Sequence, residues 1–158
     1  MPPFPARRSW LFALLAFAVL VSTFDGTLGG GGAPAVEPEG AVETQQLLQG
    51  TWLRESGGDG LTARRVLVLE RDGKFQEIVR VTDAQGHVRS FEHEGTWLFD
   101  GTNLKRKYTS MDGKPPSRLN LPFATFQLAM HSRNAFTGTD NIRGHVVRYT
   151  RVADGTAP

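Results

Sequence analysis

Three ionisable side chains occupy positions where β-strands would direct them into a protein core. On a strand predicted at 87–99, alternation with a period of two places His87, Arg89, Phe91, His93 and Phe99 on the same face as Trp97. The strand predicted before it puts Phe75, Glu77, Val79 and Val81 on one face. An interior that contains Glu77, Arg89 and His93 is more polar than a filled core tolerates. Either a wet cavity binds an amphipathic molecule, or these groups pair with one another or lie at a rim in water.

Two tripeptides place a guanidinium and a phenol on one face of a strand, namely Arg106-Lys107-Tyr108 and Tyr149-Thr150-Arg151. A guanidinium that donates two parallel hydrogen bonds, joined by a tyrosine hydroxyl, suits a carboxylate. Each pair is therefore a candidate for binding the acid group of a ligand. The alternative is a surface arginine beside a half-buried tyrosine, a combination that arises easily in a basic β-protein.

The sequence carries no recognisable catalytic or metal-binding pattern. It has no cysteine, no Gly-x-Ser-x-Gly motif and no glycine loop followed by a phosphate-binding helix. His87 and His93 would lie about 20 Å apart on one strand, too far to share a metal ion. Glu92 and Glu94, about 7 Å apart, fit glycosidase carboxylate separations, but their polar neighbours favour an outward, solvated stripe. We expect no catalytic residue, no metal and no cofactor, and therefore no enzyme.

Positive charge is spread thinly along the chain. The formal net charge is +2, and the only tight basic run is Lys105-Arg106-Lys107. A nucleic-acid-binding domain would show a denser basic stripe, so we expect no nucleic-acid partner.

The amino terminus has the pattern of an export signal. Arg7 and Arg8 precede an unbroken apolar run at 10–21. As a helix this run would be about 18 Å long, short of a ~30 Å hydrocarbon core. We predict a signal peptide or short membrane anchor at 1–24, with cleavage near Thr23 or Ala35 or retention left open. The chain is then exported, periplasmic or membrane-tethered, and meets a membrane only through this segment.

A Gly/Pro/Glu-rich stretch at 25–44 is too poor in large apolar groups to fold, which predicts a flexible linker. A short helix at 42–48, with Leu47 and Leu48 as a lid, is compatible with the pattern. The end of the chain, 153–158, is predicted to be a disordered tail.

Alternating apolar residues and turn dipeptides fill the rest of the chain, 45–152. They predict eight strands, at 48–54, 64–71, 74–82, 87–99, 102–110, 123–132, 135–138 and 143–152. Short connections favour antiparallel pairing of sequential neighbours, and closure into an eight-stranded up-and-down barrel would remove both exposed edges. An immunoglobulin-like sandwich is the alternative fold.

The sequence resembles the lipocalin-like (calycin) barrels of the bacterial exported type between about Leu47 and Val152. Gly50-Thr51-Trp52 opens the first predicted strand, and Arg148-Tyr149-Thr150-Arg151 ends the last. Gly95-Thr96-Trp97 and the dipeptides Asp72-Gly73 and Asp100-Gly101 lie between them. The resemblance implies that Trp52 plugs one barrel end, with Gly50 allowing close backbone approach and Arg148 or Arg151 packing across the indole.

Two functions remain open. The first is binding of a small apolar or amphipathic molecule inside the barrel, with candidate ligand-binding residues Phe75, Arg89, Phe91, Trp97, Arg106, Tyr108, Phe126 and Met130. In this hypothesis Arg89 or Arg106 meets the polar head of the ligand. The second is a filled barrel whose surface binds a protein partner, as in the periplasmic inhibitors of secreted metalloproteases, which the chain resembles in size and in its early Gly-x-Trp.

Overall fold

The computed structural model describes residues 39–117, 122–140 and 143–158. The predicted segment 1–24 and most of the predicted linker lie outside these ranges. The described residues form one helix and eight strands. They are α1 (Glu39–Leu48), β1 (Gly50–Gly58), β2 (Leu61–Leu69), β3 (Lys74–Thr82), β4 (Val88–Phe99), β5 (Asn103–Met111), β6 (Phe123–Ser132), β7 (Ala135–Thr139) and β8 (Val146–Arg151). Within the same ranges, no helix has the length and apolar character needed to cross a membrane.

The eight described strands close into an antiparallel barrel in sequence order. Each strand pairs with the next, and β8 pairs with β1 through Trp52 opposite Arg151 and Leu53 opposite Thr150. Closure leaves no outer strand without a partner, which is how a barrel avoids exposed edges. The predicted all-β up-and-down barrel is confirmed, and the sandwich alternative is wrong.

The first hairpin differs from the prediction. β1 continues to Gly58, beyond its predicted end at residue 54, and β2 begins at Leu61 instead of residue 64. The turn itself is Asp59-Gly60, where both residues have positive φ, 52° and 76°. Two consecutive residues of positive φ make a tight two-residue hairpin, so the strands extend right up to it.

Helix α1 closes one end of the barrel, which we call the sealed end. It begins at Glu39, inside the stretch predicted as linker, and ends at Leu48, whose side chain is completely buried. Ala41 also belongs to the core, and lies close to Gly101 in the turn after β4. The predicted short helix is present and begins three residues earlier than predicted; of the two leucines expected to form a lid, Leu48 is buried and Leu47 is half-buried. We call the opposite end, which includes the Asp59-Gly60 turn and the start of β4, the open end.

The sequence Gly-Thr-Trp-Leu occurs twice, and its glycine is required for a different reason each time. Gly50 has φ of 123°, and a Cβ there would lie 2.5 Å from Nη1 of Arg151. Gly95 lies at a register shift between β4 and β5, and a Cβ there would lie 1.9 Å from the carbonyl oxygen of Lys107. At each of the two glycines, another part of the chain therefore lies too close to the backbone for a side chain to fit.

We predict that Gly95→Ala destabilises the barrel. The added methyl group collides with the backbone of β5 and the ring of Phe75, and overpacking of this kind costs about 1–3 kcal/mol or more. The matched control is Gly58→Ala, since a Cβ at Gly58 would meet nothing within 4 Å. Chemical denaturation of both variants gives the free energy of unfolding. Equal stabilities would contradict the steric explanation.

Candidate functional site

The Trp52 indole plugs the sealed end. Its side chain is fully buried, its ring meets Phe136 edge-on with centroids 4.6 Å apart, and its Nε1 donates to the carbonyl of Leu48 at 2.7 Å. The guanidinium carbon of Arg151 lies 4.2 Å from the indole centroid. Arg151 also donates from Nη1 to the Gln49 carbonyl at 2.8 Å and from Nη2 to the Leu47 carbonyl. One arginine therefore ties β8, the indole and the end of α1 together.

Of the two arginines considered for this role, Arg151 packs on the indole and Arg148 does not. Arg148 is exposed on the outer face of β8, because alternate residues of a strand face opposite sides.

Above the plug, the barrel interior contains a group of ionisable side chains, which we call the interior charge cluster: Arg65, Glu77, His93 and Arg106. Glu77 is 1% exposed and Arg106 is 3% exposed. Glu77 accepts from Nη1 of Arg106 at 2.5 Å and from Nη1 of Arg65 at 2.8 Å. Nδ1 of His93 lies 3.0 Å from the same carboxylate. The carboxylate of Glu77 on β3 therefore contacts side chains from three other strands, β2, β4 and β5.

Burial alone would raise the pKa of Glu77, but the charges of Arg106 and Arg65 outweigh it and hold the pKa well below the ordinary value. Burial would likewise lower the pKa of Arg106, but Tyr108 and Glu77 more than compensate, so the pKa rises. Burial raises the pKa of Tyr108 to about 12. The cluster therefore holds two cationic guanidiniums and one carboxylate beside a neutral phenol.

Aromatic rings surround the Arg106 guanidinium. Its central carbon lies 5.5 Å from the ring centroids of Phe75 and of Tyr108, and 5.9 Å from that of Phe126. His93 meets Tyr108 edge-on at 5.7 Å. The rings exclude water and favour the cation through their negative faces, so Arg106 is held in a fixed position.

Exposure of the inward face increases along β4. From the sealed end towards the open end, Phe99 and Trp97 are buried, His93 and Phe91 are half-buried, and Arg89 is exposed. β2 follows the same course, from buried Leu69 and Leu67 through half-buried Arg65 and Ala63 to exposed Leu61. The interior is thus packed near the plug and accessible near the open end.

Seven of the eight candidate ligand-binding residues fall into three groups. Phe75, Trp97 and Phe126 belong to the closed core, and Trp97 donates to the Glu70 carbonyl at 2.9 Å. Met130 lies towards the sealed end, opposite Phe136 in the register of β6 and β7, and not at the open end. Phe91, Tyr108 and Arg106 lie in or beside the charge cluster.

Arg89 does not pair with Glu77, as one interpretation of the sequence proposed. It is exposed, and Glu77 instead bonds Arg65 and Arg106. Arg65 was missed, although its signal was present: it alternates with Leu67 and Leu69, whose side chains are buried.

A shallow groove of about 790 Å³ lies outside the barrel, on the outer face near the open end. Its walls include Glu55, Arg64, Arg80, Val88 and Pro158. None of the eight candidate ligand-binding residues lines it.

The other chemical candidates lie at the surface. His87 is exposed and contacts Asp83 at 3.0 Å, and Glu92 and Glu94 are exposed on the outer face of β4. Within the described ranges, no three or more His, Asp or Glu side chains come together as metal ligands would.

The described residues therefore form an antiparallel eight-stranded barrel that is sealed at one end. Its interior contains the ion pairs of Glu77 with Arg65 and Arg106. A comparison with models of known protein families finds none that matches the chain. A comparison with curated proteins finds no similar sequence.

Proposed function

We propose that this chain is an exported, non-enzymatic binding protein of the lipocalin-like type, which holds a small amphipathic molecule in the half of its barrel towards the open end. The supporting observation is the gradient of exposure along the inward faces of β2 and β4. Arg151 packed across the Trp52 indole, below this half, is consistent with the lipocalin-like resemblance.

The accessible part of the interior offers both apolar and polar contacts. Phe91 and Tyr108 supply half-buried ring surface, and the interior charge cluster lies beside them. Ligand sites typically combine apolar walls with a few well-placed polar groups. This arrangement suits a molecule with an apolar chain and a polar head.

A protein-binding surface has less support. The large apolar side chains that are exposed in the described residues are spread over α1 and five strands, and include Val42, Leu61, Ile78, Val88, Leu98, Phe123 and Val146. Protein interfaces usually present a contiguous apolar patch.

Binding of the neutral fluorescent probe N-phenyl-1-naphthylamine by the full chain tests this proposal. Phe91→Asp places a charge on the inward wall and should weaken binding at least tenfold, since a buried phenylalanine contributes roughly 1.5–3 kcal/mol. The matched control is Val88→Asp, on the same strand and near the same end, but directed outward.

Unchanged binding by Val88→Asp and weakened binding by Phe91→Asp is the expected result. The reverse pattern would move the site to the outer groove and overturn the proposal. A chain that binds no apolar probe at all would overturn it as well and favour a protein partner.

A further inference from the structure

The shallow groove on the outer face of the barrel brings two arginines together. Arg64 of β2 lies directly opposite Arg80 of β3 in the strand register, and both line the groove. Both face outward, because their chain neighbours Arg65 and Val79 face the barrel interior. Residues directly opposite on paired strands have Cβ atoms about 4.5–5.5 Å apart, so the two guanidiniums can reach the same small group.

Among the described side chains that line the groove, one is acidic and two are cationic. Nη1 of Arg64 donates to Glu55 at 3.1 Å, whereas no described carboxylate lies within ion-pair distance of Arg80. Nε of Arg64 is shielded from solvent and has no acceptor among the described residues, so Glu55 satisfies this guanidinium only in part. Like charges directly opposite on paired strands repel each other, and an anion between them would remove the repulsion.

Hydroxyl groups lie beside the two arginines. Thr62 and Thr82 also line the groove, and they are directly opposite each other in the register of β2 and β3. Each threonine is two residues along its strand from an arginine, a separation of about 7 Å that a long arginine side chain can span. An anion held by the guanidiniums can therefore also accept hydrogen bonds from these hydroxyls.

Two guanidiniums with neighbouring hydroxyls suit a phosphate group. A phosphate monoester carries about two negative charges near neutral pH and has three acceptor oxygens, which match two forked guanidinium donors. The groove of about 790 Å³ is larger than a phosphate group, and small organic ligands typically occupy sites of about 300–1,000 Å³. Its walls include Val88, which is 47% exposed and offers apolar surface to the rest of such a molecule.

We infer that the outer groove is a binding site for the phosphate monoester of a small organic molecule, with the phosphate between Arg64 and Arg80. Val88 contacts the organic part of the ligand. This inference goes beyond the proposed function and does not depend on it, because the groove lies outside the barrel and shares no residue with the candidate interior site.

Isothermal titration calorimetry of the full chain at pH 7.5 with phenyl phosphate, inorganic phosphate and phenyl sulfate tests the inference. We expect one site for phenyl phosphate, with an affinity at least fivefold higher than for the other two anions at the same ionic strength. Arg80→Gln should weaken phenyl phosphate at least tenfold. The matched control, Arg71→Gln, removes the same charge from an exposed position in the turn between β2 and β3 and should leave the affinity unchanged.

Two further variants move the affinity in opposite directions. Glu55→Gln frees Arg64 from its carboxylate partner and should tighten phenyl phosphate at least threefold, whereas Glu94→Gln, on the outer face of β4, should leave it unchanged. Thr82→Val keeps the shape and charge of the side chain but removes the hydroxyl. It should weaken phenyl phosphate at least twofold, which attraction between charges alone would not produce.

The outcomes separate this inference from the proposed function. A chain that binds N-phenyl-1-naphthylamine but not phenyl phosphate would overturn the inference alone, and the reverse would overturn the proposed function alone. Arg71→Gln weakening phenyl phosphate as much as Arg80→Gln would show general charge attraction and overturn the inference too. Equal affinities for the three anions would overturn the assignment of an organic phosphate.

Discussion

Replacing Glu77 by glutamine should lower the free energy of unfolding by about 3–5 kcal/mol, the usual effect of removing one partner from a buried ion pair. The carboxylate is 1% exposed and bonds Arg65 and Arg106. A neutral amide would leave both guanidiniums without a counter-charge inside the barrel. Denaturant titration of the wild-type chain and the variant measures the difference.

Glu92→Gln is the matched control for this substitution. Glu92 is exposed on the neighbouring strand, so we expect a change within about 0.5 kcal/mol. A loss below about 1 kcal/mol for Glu77→Gln would show that the cluster contributes little to the fold.

The pH dependence of this effect has a definite sign. The pKa of Glu77 in the folded chain is well below the ordinary value of 4.5. A depressed carboxyl pKa contributes stability that is present above the unfolded pKa and is lost as the pH falls through the folded one. The stability difference between wild type and Glu77→Gln should thus be full near neutral pH and shrink below about pH 4.5. A difference that stays constant down to pH 2 would contradict an ionised Glu77.

Replacing Trp52 by alanine should also cost about 3–5 kcal/mol, as expected for a fully buried tryptophan. The substitution empties the sealed end, removes the ring beneath Arg151 and leaves the Leu48 carbonyl without its donor. We expect α1 to detach from the barrel as a result. Denaturation monitored by circular dichroism reports the loss of stability, and hydrogen exchange of α1 amides reports the detachment.

Phe123→Ala is the control for this variant, because Phe123 is an exposed aromatic residue on β6 and its truncation should change stability little. Protection of α1 that survives in Trp52→Ala would show that the helix is held by other contacts.

The strands could be predicted from the sequence because their signals are local. Alternation and Asp-Gly turns placed β3 and β6 at their observed bounds. The hairpin after β1 was misplaced, since glycines that suit a turn also suit an extended strand. The turn of this hairpin is at Asp59 and Gly60, whose positive φ angles the sequence alone does not specify.

The ion pairs of the interior could not be predicted in the same way. Which arginine reaches Glu77 depends on the stagger of β2, β3, β4 and β5, and that stagger includes the register shift at Gly95. Period-two alternation gives the face of each side chain but not its height along the barrel axis. For this reason the sequence left pairing of Arg89 with Glu77 open beside exposure at the rim, and Met130 was placed with the ligand although it lies towards the sealed end.

Native mass spectrometry of the full chain, with solvent extraction and subsequent titration with dodecanoic acid, tests the binding proposal most directly. We expect one small amphipathic molecule per chain after purification, or one saturable site for dodecanoic acid or an apolar probe after delipidation. A chain that carries no small molecule and takes up neither dodecanoic acid nor an apolar probe would contradict the proposed function.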